Sequence, residues 1–271
     1  MLRIITDSSA EFSEEEAKAL GIEIVPLTVV FDGKAYLEGV ELKKDEFYRR
    51  LLSGEYPQTS QPSAAQFSEA FARTGGEETL VILISSALSG TINAATLAKK
   101  EGNFTQVHIY DSLCTTAMMR ILVETAYKNR EKTAAEVIAI LDELRPRIRL
   151  YACLDTLEYL YKGGRVRRST AIIGGLLGIK PLITVSQEGT VVVAGKERGQ
   201  KRAIKALADY YCGEKNDPDY PVYFLQSEGE ALPRELMALL GHEQDRLFRI
   251  CCAVGTHIGP NGAGIVYVAK N

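Results

Sequence analysis

Three short segments, far apart in the chain, are rich in hydroxyl groups and glycine and poor in acidic residues. They are 59–63 (TSQPS), 85–91 (SSALSGT) and 255–260 (GTHIGP). The first two each run into a helical pattern, and a helix start offers unpaired N–H groups with a partial positive charge. Two helix starts, the hydroxyl groups and His257 together favour a binding site for one small anion.

The segment 85–91 follows 79–84, the most apolar strand pattern in the chain. Open α/β sheets bind ligands at the carboxyl ends of their strands, and Gly90 would let the backbone approach a bound group. Residues 6–9 and 111–112 end two other predicted parallel strands, so we expect them at the same edge. Simple helix capping also explains these polar residues.

Each of these residues has a structural alternative to a binding role. Ser63 after Gln61-Pro62 is a good N-cap, but a cap does not explain the hydroxyl groups of Thr59 and Ser60. His257 lies between glycines, which predicts a tight loop rather than a core position. The guanidinium of Arg165, in a basic turn, could reach into a cleft between two domains.

Several signatures of catalysis are missing from the sequence. It has no G-x-S-x-G elbow, no Walker A loop, no G-x-G-x-x-G and no H-E-x-x-H. A triad of Ser89, His257 and Asp7 can be assembled on paper, although it needs only common residue types. A serine hydrolase therefore stays open as an alternative, as does a binder of a small phosphorylated metabolite.

Composition narrows the function classes further. The 271 residues carry a net charge of −3 without a basic block, which argues against nucleic acid as a partner. The early Asp7 argues against a secretory signal. The longest apolar run, 171–185, is broken by Lys180-Pro181 and is too short to span a membrane. We expect a cytoplasmic protein without a transmembrane segment, whose five cysteines are reduced, mostly buried and not metal ligands.

The same apolar run has a feature of its own. Three glycines interrupt it, and each costs about 1 kcal/mol against alanine in a helix. One gain would be room for a narrow apolar tunnel, and close packing against a sheet is the alternative. The candidate tunnel residues are Ile172, Ile173, Gly174, Leu176 and Leu177.

The strands and helices that must position these residues follow one pattern in the first half of the chain and another in the second half. Strands alternate with helices up to Pro146, which predicts a doubly wound parallel sheet. Capping-box patterns begin helices at Ser13, Ser63 and Thr133. The second half has a hairpin pattern around residues 187–190 and predicts a mixed sheet with helices. The predicted class is α/β, with an N-terminal domain over 1–148, a C-terminal domain over 149–271 and a ligand tunnel between or beside them.

Two of these element predictions are tested again below. The β-branched run 22–31 predicts one strand that ends at a turn. The apolar run 247–254 predicts a closing strand, followed by the loop that carries His257.

Five motifs, in order along the chain, resemble those of the DegV family of bacterial fatty-acid-binding proteins. They are TSQPS (59–63), ISSALSGT (84–91), DTLEYLYKGGR (155–165), IKP (179–181) and GTHIGP (255–260). From residues 4–8 to the C-terminus, the resemblance covers essentially the whole chain.

The resemblance implies a two-domain α/β protein that holds one long-chain fatty acid in an apolar tunnel and has no other cofactor. It implies a non-catalytic role: a separate ATP-dependent kinase subunit phosphorylates the bound carboxylate, and the acyl phosphate enters phospholipid synthesis. The implied carboxylate contacts are Thr59 or Ser60, Ser89, Thr91 and His257. The resemblance assigns Arg165 to the head group and the docking face.

The chain departs from the family pattern at three places. Asn261 follows GTHIGP where glycine is usual, Gly178 stands where asparagine is frequent, and Ile92-Asn93 replaces Tyr-Gln. Asparagine tolerates unusual backbone angles, so we expect the Asn261 loop to keep its form. The departures bear on tail preference and partner docking more than on head-group binding.

Overall fold

A computed structural model describes residues 1–166 and 178–270 of the chain. It divides into two compact units, each made of separate stretches of sequence. Unit 1 comprises Met1–Leu42, Thr59–Pro146 and Gln187–Gly189. Unit 2 comprises the described parts of Lys43–Gln58, Arg147–Ser186 and Thr190–Asn271. Two short stretches, Lys43–Gln58 and Gln187–Gly189, thus belong to the unit on the other side of the predicted boundary at 148.

The described residues form the following strands and α-helices, numbered in chain order. The strands are β1 (Arg3–Asp7), β2 (Glu23–Val25), β3 (Thr28–Phe31), β4 (Lys34–Leu37), β5 (Gln58–Ser60), β6 (Thr79–Leu83), β7 (Val107–Asp111), β8 (Ile148–Cys153), β9 (Ile179–Val185), β10 (Val191–Arg198), β11 (Tyr223–Gln226), β12 (Arg246–Arg249) and β13 (Ala263–Val268). The helices are α1 (Glu14–Leu20), α2 (Lys44–Leu52), α3 (Ala64–Arg73), α4 (Thr91–Glu101), α5 (Thr116–Lys128), α6 (Ala134–Leu144), α7 (Glu158–Lys162), α8 (Gln200–Cys212), α9 (Ala231–Leu240) and α10 (Cys252–Ile258).

Unit 1 is built on a parallel sheet of four strands in the order β2-β1-β6-β7. Every residue of β6 is buried, as a strand covered on both faces requires. Its core joins Ile5 and Val81 of the sheet to Phe67 and Phe71 of α3 and to alanines of α4. The strand order reverses between β1 and β6, which is where sheets of this kind bind ligands.

The capping boxes predicted for unit 1 are all present. Ser13, Ser63 and Thr133 each accept the N–H of the residue three positions on, whose side chain accepts the cap's own N–H. These bonds satisfy backbone donors that a helix start leaves unpaired. The starts of α1, α3 and α6 are therefore set by local sequence.

Unit 2 contains a mixed sheet of six strands in the order β10-β9-β8-β13-β11-β12. The neighbours are antiparallel except β11 and β12, which run parallel. The core packs α8 and α9 onto the sheet around Leu207, Phe224, Leu236 and Ile265. The α/β class and its two sheets, one parallel and one mixed, are thus as the sequence predicts.

Two element predictions were wrong. The run 22–31 forms two strands, β2 and β3, because Pro26 and Leu27 interrupt it; proline supplies no N–H to a sheet. The run 247–254 is a strand only to Arg249 and then enters α10, which places His257 on a helix instead of a tight loop. Cys251 is the extended N-cap residue of that helix.

The tunnel predicted from sequence falls in a segment outside the described residues. Its candidates are Ile172, Ile173, Gly174, Leu176 and Leu177. The tunnel therefore stays a prediction.

Candidate functional site

Unit 1 brings the first two hydroxyl-rich segments together. Thr59 and Ser60 lie on β5, at the edge of a small sheet ordered β4-β3-β5. Gln61-Pro62 then leads to Ser63, whose hydroxyl accepts the N–H of Gln66 at 3.2 Å. Ser63 is thus committed to capping α3. Thr59 and Ser60 remain the candidates of this segment.

The second segment places a pair of hydroxyl groups at the start of α4. Ser89 Oγ and Thr91 Oγ1 lie 2.8 Å apart and share a hydrogen bond. Thr91 is fully buried, whereas Ser89 is half-buried. Gly90, between them, is the N-cap residue and has no side chain to satisfy the first N–H groups. The start of α4 therefore combines helix-end donors with two hydroxyl groups.

Gln61 joins the two segments, and the sequence analysis missed it as a site residue. A Cβ built on Gly90 would lie 1.9 Å from Oε1 of Gln61, so the glutamine amide lies directly over the glycine. The amide is a neutral group with both donor and acceptor atoms. The sequence signal that could have found it was its place within TSQPS, between Ser60 and Pro62.

The other polar residues at this edge connect the strand ends to one another. Asp7 is fully buried, and its carboxylate accepts the N–H of Ile84 at 2.8 Å and the N–H of Ser9 at 2.9 Å. Burial raises the pKa of Asp7 despite these bonds. Asp111 accepts the N–H of Ser86 at 3.1 Å. Both carboxylates thus hold the loops that present Ser89 and Thr91.

In unit 2, His257 is half-buried near the end of α10. Gly255, two residues earlier, lets α2 pack closely, since a Cβ there would lie 2.8 Å from the hydroxyl of Tyr48. That hydroxyl donates to the carbonyl of Ile250 at 3.0 Å. The GTHIGP motif therefore positions a helix against α2, and the histidine is held by packing.

Two further glycines make room around this histidine. A Cβ on Gly163 would lie 2.1 Å from Nδ1 of His257, so the ring packs on the turn after α7. Gly259 has φ 72° and ψ −175°, a conformation reserved for glycine, and the ring of Tyr159 covers it. These contacts explain Gly163 of KGGR and both glycines of GTHIGP.

Arg165 lies beside His257 within unit 2. Its N–H donates to the carbonyl of Leu160 at 2.9 Å, and its guanidinium donates to the carbonyl of Gly163. Burial lowers the pKa of His257 to about 4, and the positive charge of Arg165 adds to the shift. The imidazole is therefore neutral at pH 7, while burial also lowers the pKa of the guanidinium.

The described residues thus contain two clusters of candidate residues, one in each unit. In unit 1 the structure brings together Gln61, Ser89 and Thr91, with Thr59 and Ser60 just before Gln61. In unit 2 it brings together Arg165 and His257. Within residues 1–166 and 178–270, no group of three or more His, Cys, Asp or Glu side chains is placed to hold a metal ion.

Comparison with known proteins yields one family. The DegV family model, described as a family of uncharacterised proteins, matches residues 1–270. A DegV domain-containing protein from Caldanaerobacter subterraneus is 35% identical over 278 residues, which cover 99% of each chain. The chain belongs to the DegV family.

Solved structures of DegV proteins share the fold. One from Thermus thermophilus, described as binding fatty acid, has a TM-score of 0.88 at 28% identity and covers 99% of both chains. Another from Streptococcus agalactiae, also described as fatty acid binding, has a TM-score of 0.88 at 27% identity and covers 100% of this chain and 99% of its own.

One departure from the family pattern noted above, Asn261, lies in the loop after α10. Asn261 has φ 60°, a left-handed conformation, and its side-chain amide donates to Asp155 at 2.8 Å. Gly262 then donates its N–H to Ser227 Oγ at 2.6 Å. Asn261 therefore adopts a left-handed conformation at the position where glycine is usual. No described helix of this DegV protein is long and apolar enough to cross a membrane.

Proposed function

We propose that this DegV protein binds one long-chain fatty acid, with its carboxylate held by Ser89, Thr91, His257 and Thr59 or Ser60. The observation that supports it most is the pair of hydroxyl groups at the start of α4, within a family whose solved members are described as fatty acid binding. Hydroxyl groups and helix-end N–H groups satisfy a carboxylate without adding charge.

The charges of unit 2 fit an anionic head group. His257 is neutral at pH 7, since its pKa is about 4, and can donate one N–H. Arg165 keeps its positive charge at physiological pH and favours the ionised form of a nearby carboxylate. A buried carboxylate needs such donors, because its desolvation is costly.

The hydrocarbon tail would supply most of the affinity. Burying an acyl chain gives about 0.8 kcal/mol per methylene, so a 16-carbon tail contributes on the order of 11 kcal/mol before the costs of binding. An apolar tunnel, for which 172–177 supplies our candidate residues, is the environment this requires. The polar residues then orient the acid.

We further propose that the protein presents the bound acid to an ATP-dependent kinase subunit in the cytoplasm. The carboxylate oxygen would attack the γ-phosphorus of ATP on that subunit, which yields an acyl phosphate and ADP. Phospholipid synthesis would then use the acyl phosphate. This chain needs neither a nucleophile nor a nucleotide site of its own, which agrees with the motifs that its sequence lacks.

Native mass spectrometry of freshly purified protein tests the binding proposal. We expect an added mass equal to a long-chain fatty acid. Ser89→Ala should weaken binding of stearic acid roughly 10- to 100-fold, because a hydrogen bond to a charged group contributes about 1.5–3 kcal/mol. His257→Ala tests the unit 2 cluster in the same way.

Ser86→Ala is the matched control for Ser89→Ala. It removes a hydroxyl from the same loop, but Ser86 is exposed and lies outside the proposed cluster. A clean ligand-free mass with no recoverable acid would contradict the proposal. Labelling by a fluorophosphonate probe that Ser89→Ala abolishes would instead support the hydrolase alternative.

Arg165→Ala tests presentation to the kinase. With a cognate kinase subunit and ATP, we expect acyl-phosphate formation to fall about tenfold or more at saturating fatty acid, measured as hydroxamate after hydroxylamine trapping. Lys162→Ala is the control, since Lys162 lies in the same basic turn but is exposed and paired with Glu158 at 2.6 Å. Equal turnover in wild type and Arg165→Ala would remove Arg165 from the docking face.

A further inference from the structure

Two buried threonine hydroxyl groups at the start of α5 are without partners in the part of the chain that the structure describes. Thr115 is the N-cap residue of α5, and Thr116 is its first residue. Their exposed fractions are 7% and 2%, and neither Oγ1 has a hydrogen-bond partner within that part of the chain. Native proteins satisfy nearly all buried polar groups, so this pair indicates a missing partner.

In the loop before Thr115, by contrast, polar groups do have hydrogen-bond partners. Asp111 accepts the N–H of Leu113 at 3.1 Å, and Ser112 Oγ accepts the N–H of Cys114 at 3.1 Å. Ser85 donates its N–H to the carbonyl of Cys114 at 2.9 Å. The loop is thus held by its own hydrogen bonds up to the residue before Thr115.

The backbone at the start of α5 is also unusual. Thr116 has φ 51°, which is rare and costly for a β-branched residue. Thr115 has the extended backbone of an N-cap residue, but its hydroxyl makes no capping bond. Both hydroxyl groups therefore stay available at the positive end of the α5 dipole.

The chemistry of this position favours an uncharged acceptor. Arg120, one turn further along α5, is paired with Glu16 and Glu124 at 2.8 Å each. Burial raises the pKa of Cys114 to about 12, so its thiol is neutral. The donors at the start of α5 are thus neutral hydroxyl groups. Arg145 acts on Cys114 less strongly than burial does, and an uncharged acceptor needs no cation to balance it.

We propose that Thr115 and Thr116 bind an uncharged oxygen, a hydroxyl or keto group, on the hydrocarbon chain of the ligand. This inference rests on the proposed function and adds a substrate class to it: oxygenated long-chain fatty acids.

The position of α5 relative to the proposed head-group residues supports this. The loops that carry Ser89 and Thr115 follow β6 and β7, which are neighbouring parallel strands, so both lie at one edge of the sheet. Neighbouring strands are about 4.8 Å apart, and a long acyl chain extends over several such spacings. An acid anchored at the start of α4 is therefore long enough to reach the start of α5.

Competitive binding of stearic acid and of hydroxystearic acids, substituted at successive carbons along the chain, tests this inference. We expect at least one positional isomer to bind wild type about fivefold or more tightly than stearic acid, as one added hydrogen bond provides. In the variant Thr115→Val/Thr116→Val this ratio should fall to about one. Thr115→Val alone, at an ordinary extended backbone, should reduce the ratio if the double variant does not fold.

Thermal stability gives a second readout on the ligand-free protein. Valine keeps the shape of threonine, so the double variant should have a Tm equal to or above that of wild type. Thr6→Val is the matched control and should lower the Tm, because Thr6 Oγ1 donates to the carbonyl of Ile82 at 2.8 Å.

The outcomes separate this inference from the function on which it rests. If stearic acid binds but no isomer is preferred, or if the preference survives both valines, the inference is wrong and the proposed function stands. A double variant with a lower Tm shows that water already satisfies the hydroxyl groups, which also overturns it. If neither stearic acid nor any isomer binds, the proposed function itself fails.

Discussion

Arg120→Met should lower the free energy of unfolding by about 1.5–3 kcal/mol, because two half-buried carboxylates lose their charged hydrogen-bond donor. Arg120 is 2% exposed and donates to Glu16 and Glu124 at 2.8 Å each. It also donates to the carbonyl of Glu11 at 2.8 Å and lies over the ring of Phe12. Chemical unfolding followed by circular dichroism measures the change.

Two further variants show whether the fork of hydrogen bonds or the charge alone matters. Arg120→Lys keeps the charge but not the planar fork, so it should lose an intermediate amount. Adding Glu16→Gln and Glu124→Gln to Arg120→Met should recover part of the loss, because neutral amides cost less to bury without a cation. A loss below 1 kcal/mol in Arg120→Met would contradict this account of how α5 is held.

Lowering the pH from 7 to 4 should remove up to about 3 kcal/mol of stability through His257 alone. Its pKa is about 4 in the folded protein, against 6.5 for an unperturbed histidine. The neutral form is favoured by folding, so its contribution is complete above pH 6.5 and is lost as the pH falls through 4. Each pKa unit corresponds to 1.36 kcal/mol.

His257→Gln isolates this effect from other titrating groups. Glutamine stays neutral, so the difference in unfolding free energy between wild type and variant should shrink steadily between pH 6.5 and 4. Arg165→Ala should raise the pKa of His257 in an NMR titration, since it removes one of the two causes of the shift. A constant difference over this range, or a titration of His257 near 6.5, would show that the imidazole is not buried as described.

A bound carboxylate should change this pH profile in a definite direction. An anion next to His257 favours the protonated imidazole and raises its pKa. Protein loaded with fatty acid should therefore lose less stability between pH 6.5 and 4 than ligand-free protein does. Identical profiles would place the carboxylate away from His257.

Local sequence was sufficient for most helices and strands. The capping boxes at Ser13, Ser63 and Thr133 involve residues three positions apart, so no tertiary contact is needed to recognise them. The unbroken apolar run in β6 similarly predicts a strand buried on both faces. Elements of this kind were placed to within a few residues.

The failures arose where distant residues decide the outcome. The run 247–254 is apolar enough for a strand, but the chain turns into α10 after Cys251, where Gly255 packs on Phe47 and Tyr48 of α2. Those aromatic residues lie some two hundred positions earlier, and no local pattern reports such a contact. His257 consequently lies half-buried on a helix, where the sequence predicted a tight loop.

The same contrast between local sequence and contacts of distant residues applies to the candidate site residues. Motif order and hydroxyl content were enough to select Ser89, Thr91, Arg165 and His257, because both features can be read directly from the sequence. The sequence by itself determined the fold class, the family and these candidates. Tertiary structure alone decided which residues pair, which are neutral and which are left without a partner. These properties depend on burial and on distances between atoms remote in sequence, and sequence spacing does not encode them.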